Sequence, residues 1–141
     1  MAAVERTEIF DAQIESIFEV ITNYQEYPDF VEGVNEVEVH ESSAEGAKVT
    51  YKLNVVKSIS YTLKLHHERP HRVSWELVEG DLFKSNNGSW TLKDLGDGRT
   101  EVTYALDINF KGLVPKMITN KLTKSSLPAM MQSYHERAKN H

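Results

Sequence analysis

The stretch Leu113–Lys139, LVPKMITNKLTKSSLPAMMQSYHERAK, decides the architecture. It is the only segment long enough to form a major helix, and everything from Val34 to Phe110 reads as strands. Its apolar residues fall into two helical runs, Val114, Met117, Ile118 and Leu122, then Leu127, Met130, Met131, Tyr134 and Ala138. Pro128 lies between the runs. Its missing backbone donor predicts a bend there, which lets the apolar face change phase. A strand-rich middle followed by one long helix calls for a sheet curled around that helix, whose stripe must be buried. Two readings of the adjacent methionines stay open: ordinary core, or soft lining of a cavity between helix and sheet.

Working outward, the middle of the chain alternates with the period of a strand. The last strand is the cleanest, with Val102, Tyr104, Leu106, Ile108 and Phe110 on one face and Glu101, Thr103, Asp107 and Asn109 on the other. The third strand offers Val49, Tyr51, Leu53 and Val55, and the fourth Ile59, Tyr61, Leu63 and Leu65. Val73, Trp75 and Leu77 form a fifth, and Val37 and Val39 a second. The sixth, Leu82–Lys93, is interrupted by Asn86-Asn87-Gly88, which predicts a bulge or bend. One wet and one dry face imply an antiparallel sheet covered on one side. Ahead of it, Val4–Phe10 reads as a first strand, and Asp11 as the N-cap of a helix carrying Ile14, Ile17, Phe18 and Ile21. Pro28 then breaks the chain before a short second helical turn ended by Gly33. The fold class is α+β: a curved seven-stranded antiparallel sheet around a long C-terminal helix, with two short helices between strands 1 and 2.

The 141 residues suit a single domain spanning 1–141. A net charge of −5 argues against a general nucleic-acid binder. The absence of cysteine excludes disulfides and thiolate chemistry. No signal peptide and no apolar run of the ~18 residues a spanning helix needs are apparent, so a cytoplasmic protein is expected.

Several short pieces share one likeness. They are Phe10-Asp11-Ala12 with Ile17-Phe18-Glu19-Val20-Ile21, the break Tyr27-Pro28-Asp29-Phe30, and Val73-Ser74-Trp75. Gly88-Ser89-Trp90 leading to the turn Gly96-Asp97-Gly98-Arg99-Thr100, and Val102-Thr103-Tyr104, complete the set. In this order they resemble the START-like, helix-grip (Bet v 1-like) superfamily, and within it the polyketide cyclase/coenzyme Q-binding, COQ10-type branch. The likeness spans residues 3–138, with Asn23 standing where an acidic residue is expected. The resemblance implies a cavity between sheet and C-terminal helix for apolar small molecules, which in relatives include lipids, isoprenoid quinones and polyketides. It does not imply catalysis, because the fold also hosts carriers, sensors and interaction proteins.

The candidate ligand-lining residues are Tyr51, Leu53, Tyr61, Leu63, Trp75, Tyr104, Leu106, Met117, Met130, Met131 and Tyr134. The inward tyrosines and Trp75 each carry an apolar body and a hydrogen-bonding tip. Such tips either orient a ligand or bond a backbone carbonyl in a filled core. Tyr24, Tyr27 and Phe30 are candidates for a cavity mouth, or for a plug anchoring the loop. The six histidines show no metal-ligand spacing, and His66 and His67 point to opposite faces of a strand. No catalytic residue, metal ligand or cofactor is assigned. Lys111, Lys116, Lys121 and Lys124 gather near Leu113 and Val114, either as a solvated face or as a contact for an anionic membrane surface or an acidic partner. Three functions stay open. The first is non-enzymatic binding of a lipid, quinone or polyketide-like molecule. The second is a polyketide cyclase/dehydratase with tyrosine acids and His67 as base. The third is a ribosome- or protein-interaction module.

Overall fold

The computed structural model describes residues 2–54, 58–123 and 125–140. The inward assignment of Val55 and the expectations for Lys124 and His141 lie outside the described residues. The order is β1 (Ala2–Phe10), α1 (Ile14–Thr22), a 3-10 turn (Tyr24–Glu26) running into α2 (Tyr27–Phe30), then β2 (Val34–Ser43), β3 (Gly46–Asn54), β4 (Ser58–Glu68), β5 (Arg72–Gly80), β6 (Phe83–Asp94) and β7 (Thr100–Phe110). Two helices close the chain, α3 (Lys116–Leu122) and α4 (Leu127–Lys139). The strands form one seven-stranded sheet ordered β1-β7-β6-β5-β4-β3-β2, in which every neighbouring pair is antiparallel. This is the helix-grip, START/Bet v 1-like arrangement.

The alternation of β7 does what its period requires: Val102, Leu106 and Ile108 are buried on the face that looks toward the helices. α1 buries Ile14, Ile17, Phe18, Val20 and Ile21. α4 buries Leu127, Met131, Tyr134 and Ala138, one stripe at helical spacing. His135 lies flat on the Phe10 ring, centroids 4.6 Å apart, and its Nε2 accepts the Asp11 backbone N–H at 2.9 Å. That pair joins α4 to the end of β1.

Three local expectations differ from the structure. The C-terminal stretch is not continuous helix: α3 ends at Leu122, and α4 begins at Leu127 with Pro128 in its first turn. A proline there loses no helical bond, since the first-turn N–H groups have no intrahelical acceptor, so Pro128 starts a helix instead of bending one. Asp11 does not cap α1; Gln13 occupies that position and makes no side-chain cap bond. Nor does Asn86-Asn87-Gly88 bulge against β7, where the ladder runs unbroken from Ser85 to Asp94. The disruption falls on the other side, where pairing with β5 ends at Trp75–Gly88.

Candidate functional site

Between the concave face of the sheet, the α2–β2 junction and α4 lies a cavity of about 440 Å³. That is within the range of small-molecule pockets. β3 contributes Tyr51 and Leu53, β4 Tyr61 and Leu63, β5 Trp75, β7 Tyr104 and Leu106, and α4 Met130 and Tyr134. Inward-facing Leu65, Val73 and Ile108 extend the same strand faces into the lining, as their period requires. Phe83, Asn86 and Trp90 of β6 also line it. Sequence reasoning passed over these three, because the Asn-Asn-Gly run read as a break and hid the inward phase of β6.

Two candidates lie elsewhere. Met117 is 59% exposed on α3 and is not part of the lining. α3 ends at Leu122 and α4 begins at Leu127, so the apolar stripe of α3 is not carried into the α4 face. Met131 is fully buried but also outside the lining. It sits next to Met130 on a helix, and neighbours in sequence point about 100° apart, so only one of the two can face the cavity. The proposed mouth residues are likewise redistributed. Tyr24 and Tyr27 line the cavity but are only 3% and 6% exposed, so they are wall and not gate. Phe30 stands behind them, edge-on to Tyr134 with centroids 5.3 Å apart, and the Arg137 guanidinium covers its ring at 5.0 Å. The polar rim is formed instead by Glu32, Asn54, Lys121, Ser125 and Ser126. No periodic signal marks these loop and helix-end residues.

All six tyrosines of the chain line this one cavity. Burial is the largest cause holding each phenol well above the usual tyrosine range, and neighbouring tyrosines add to it for all but Tyr61. They are therefore neutral hydrogen-bonding groups at physiological pH. Their partners divide them. Tyr24 O–H meets His67 Nε2 at 2.8 Å, and Tyr27 O–H donates to the Ile21 carbonyl. Tyr134 is hydrogen-bonded with Tyr27. Among the described residues no protein group bonds the hydroxyls of Tyr51, Tyr61 or Tyr104. None of the three is sealed in the core either: the buried side-chain atom without a partner is Asp107 Oδ1. All three residues line the cavity. Asn86, 5% exposed, accepts the Trp75 indole N–H through Oδ1 at 3.1 Å, and this fixes its amide at the cavity wall.

His67 is spoken for. Besides Tyr24 it bonds the Ser43 backbone, and its ring is outside the cavity lining. Burial lowers its pKa, with His66 and Arg69 adding to the effect and the Ser43 bond opposing it. His66 faces the other way, toward Glu76 at 3.1 Å. Among the described residues no group of three His, Asp or Glu side chains is placed to hold a metal ion.

A curved antiparallel sheet gripping a C-terminal helix over a tyrosine-lined cavity defines a START-like protein. The chain belongs to the polyketide cyclase/dehydrase and lipid transport family, whose pattern it matches over residues 10–134. It is similar to the zhui aromatase/cyclase from Streptomyces sp. R1128, with a TM-score of 0.87 at 15% identity over 99% of this chain and 94% of that one. A START superfamily protein from Mycobacterium smegmatis superposes with a TM-score of 0.84 at 17% identity, covering 98% and 97%. In sequence the chain is 23% identical to the ribosome association toxin RatA of Escherichia coli K12, over 99% of this chain and 88% of that protein. Among the described residues no helix is long and apolar enough to cross a membrane.

Proposed function

We propose that this protein binds a hydrophobic small molecule, of the lipid, isoprenoid quinone or polyketide-like class, without transforming it. The observation that carries this reading is the pairing of an apolar cavity with three phenolic hydroxyls, those of Tyr51, Tyr61 and Tyr104, that have no partner among the described residues. A filled core would satisfy such groups internally, because an unmatched buried hydroxyl is unfavourable. A bound carbonyl or phenol oxygen supplies the missing partner, and apolar burial contributes about 25 cal/mol per Å² of surface removed from water. Binding without catalysis is favoured because His67 is held by Tyr24 and Ser43 and its ring is not part of the cavity lining. The family name and the aromatase/cyclase neighbour support a ligand of this type. Both tryptophans, Trp75 and Trp90, line the cavity, so titration with decylubiquinone should quench their fluorescence saturably, at one equivalent per chain. Linear, non-saturating quenching would count against the reading.

A second reading, contact with the ribosome, is favoured by the relative named for ribosome association. The surface it would use carries exposed Leu113 and Met117 beside Lys111, Lys116 and Lys121. Co-sedimentation with purified ribosomal subunits, lost in a Leu113→Asp/Met117→Asp variant, tests it; sedimentation that ignores those changes argues for a different surface.

A further inference from the structure

The β5–β6 hairpin is zipped at one end only. Its ladder runs from Arg72–Thr91 to Trp75–Gly88 and stops, although only Asp81 and Leu82 separate the two strands at the tip. The cause lies with the outer neighbours. Against β4, β5 carries one extra residue, Val78, between the Thr62–Glu79 and Leu63–Leu77 rungs. Against β7, β6 carries one extra residue, Lys84, between the Phe83–Phe110 and Ser85–Asn109 rungs. A bulge bends and twists the strand that contains it. Here both bulges lie beyond the last rung of the hairpin, where the two strands no longer pair. The tip is tied outward instead: the Asp81 N–H donates to the Ser60 carbonyl at 3.1 Å, and Lys111 Nζ to the Gly80 carbonyl at 2.9 Å.

Behind this slit, on the convex face, lies a cleft of about 670 Å³. Its wall includes a polar chain: His40 Nε2 lies 2.7 Å from Thr50 Oγ1, which is 2.6 Å from Thr62 Oγ1. Tyr61 and Phe83, packed edge to face with centroids 5.1 Å apart, line both this cleft and the inner cavity. The two spaces share that pair as a common wall.

We propose that the convex cleft is a second subsite of the same ligand site, continuous with the cavity past Tyr61 and Phe83. It takes the neutral, hydroxyl- or carbonyl-bearing end of an amphiphile whose apolar part lies under α4. The inference rests on the cavity being a site for a hydrophobic small molecule. The cleft's charged residues balance, Lys84 and Lys111 against Glu79 and Asp81, so no excess cation recruits a carboxylate or phosphate. Its threonine hydroxyls, and the strand edges beyond the last β5–β6 rung, match neutral oxygen functions instead.

The chain has no cysteine, so a V78C/S85C pair, placed on the two strands of the hairpin beyond the end of its ladder, gives an oxidant a single pair of thiols to close and a reductant one to reopen. Two probes are read on the same sample: 1-anilinonaphthalene-8-sulfonate, a compact dye for the inner cavity, and n-octyl-β-glucoside, a neutral amphiphile that displaces it. Oxidation should weaken the glucoside by about tenfold or more, with recovery on reduction and unchanged dye binding. Glucoside affinity indifferent to the crosslink overturns the second subsite. If the thiols stay free, Val78→Trp, a 48% exposed position whose new ring fills the cleft from outside, is read in the same way. An unmodified protein that binds neither probe overturns the cavity reading itself, a result distinct from glucoside binding that ignores the slit.

Discussion

The Tyr24 hydroxyl and His67 Nε2 lie 2.8 Å apart, a single side-chain bond that ties the 3-10 turn after α1 to the end of β4. The ring of Tyr24 also lies nearly parallel to that of His67, with centroids 6.0 Å apart and an interplanar angle of 24°. The contact carries a pH dependence. Burial, then His66 and Arg69, lowers the pKa of His67 in the folded state, and the bond to Ser43 only partly opposes this. The unfolded chain therefore binds the proton first as pH falls, and ∂ΔG/∂pH is positive in that window. Stability from this site is fully present above the ordinary histidine value near 6.5 and is lost as pH falls through the folded-state value. Thermal melts at pH 7.5 and 5.0 should show a larger loss for the wild type than for His67→Gln. Equal losses would mean that His67 protonates without consequence.

Tyr27 and Tyr61 make a matched pair for separating framework phenols from ligand-facing ones. Tyr27→Phe strands the buried Ile21 carbonyl and should cost about 1–2 kcal/mol. Tyr61→Phe removes a hydroxyl with no partner among the described residues and should change stability by less than about 0.5 kcal/mol. It should weaken a quinone or phenolic probe instead. Denaturant melts and a probe titration on both variants check this, and a large stability loss in Tyr61→Phe would place its hydroxyl in the framework.

Gly88 has no room for a methyl group. A Cβ there would stand 2.3 Å from Trp75 Cζ2 and 2.5 Å from the Ala105 carbonyl oxygen. Gly88→Ala should therefore destabilise by about 1–3 kcal/mol and shift the Trp75 emission as the ring is pushed toward the cavity. A variant that melts with the wild type and keeps its spectrum would show that the ring yields freely.

Arg137 pairs with Glu26 and covers Phe30, so it clips α4 to the α2 turn. Both charged groups are partly exposed, and solvent screening keeps the ion pair small. With the ring contact added, Arg137→Ala should cost about 0.5–1.5 kcal/mol, most of it kept in 1 M salt if the ring contact dominates. A loss abolished by salt would assign it to the ion pair alone.

How far the sequence spoke depends on what each feature rests on. The period of β3, β4 and β7 places Tyr51, Tyr61, Tyr104 and Leu106 on the inner face, because alternation is a local property that burial enforces. The helix-side candidates were harder. Met117 and Met131 carry the right chemistry, but the α3–α4 break and the rotation between adjacent helical residues decide which side chains turn inward, and those are tertiary outcomes. Pro128 reads equally as an interruption or as a first-turn residue until the helix start is known. The rim at Lys121, Ser125 and Ser126 and the open hairpin tip leave no periodic trace, since a bulge at Val78 or Lys84 is set by register with neighbours far away in the chain.

Native mass spectrometry with decylubiquinone tests the hollow cavity most directly, comparing the wild type with Leu106→Trp, whose ring would fill the space opposite Gly88. The expected result is one ligand per wild-type chain and none on a folded Leu106→Trp chain. Adducts of equal abundance on both, or none on the wild type, would contradict it.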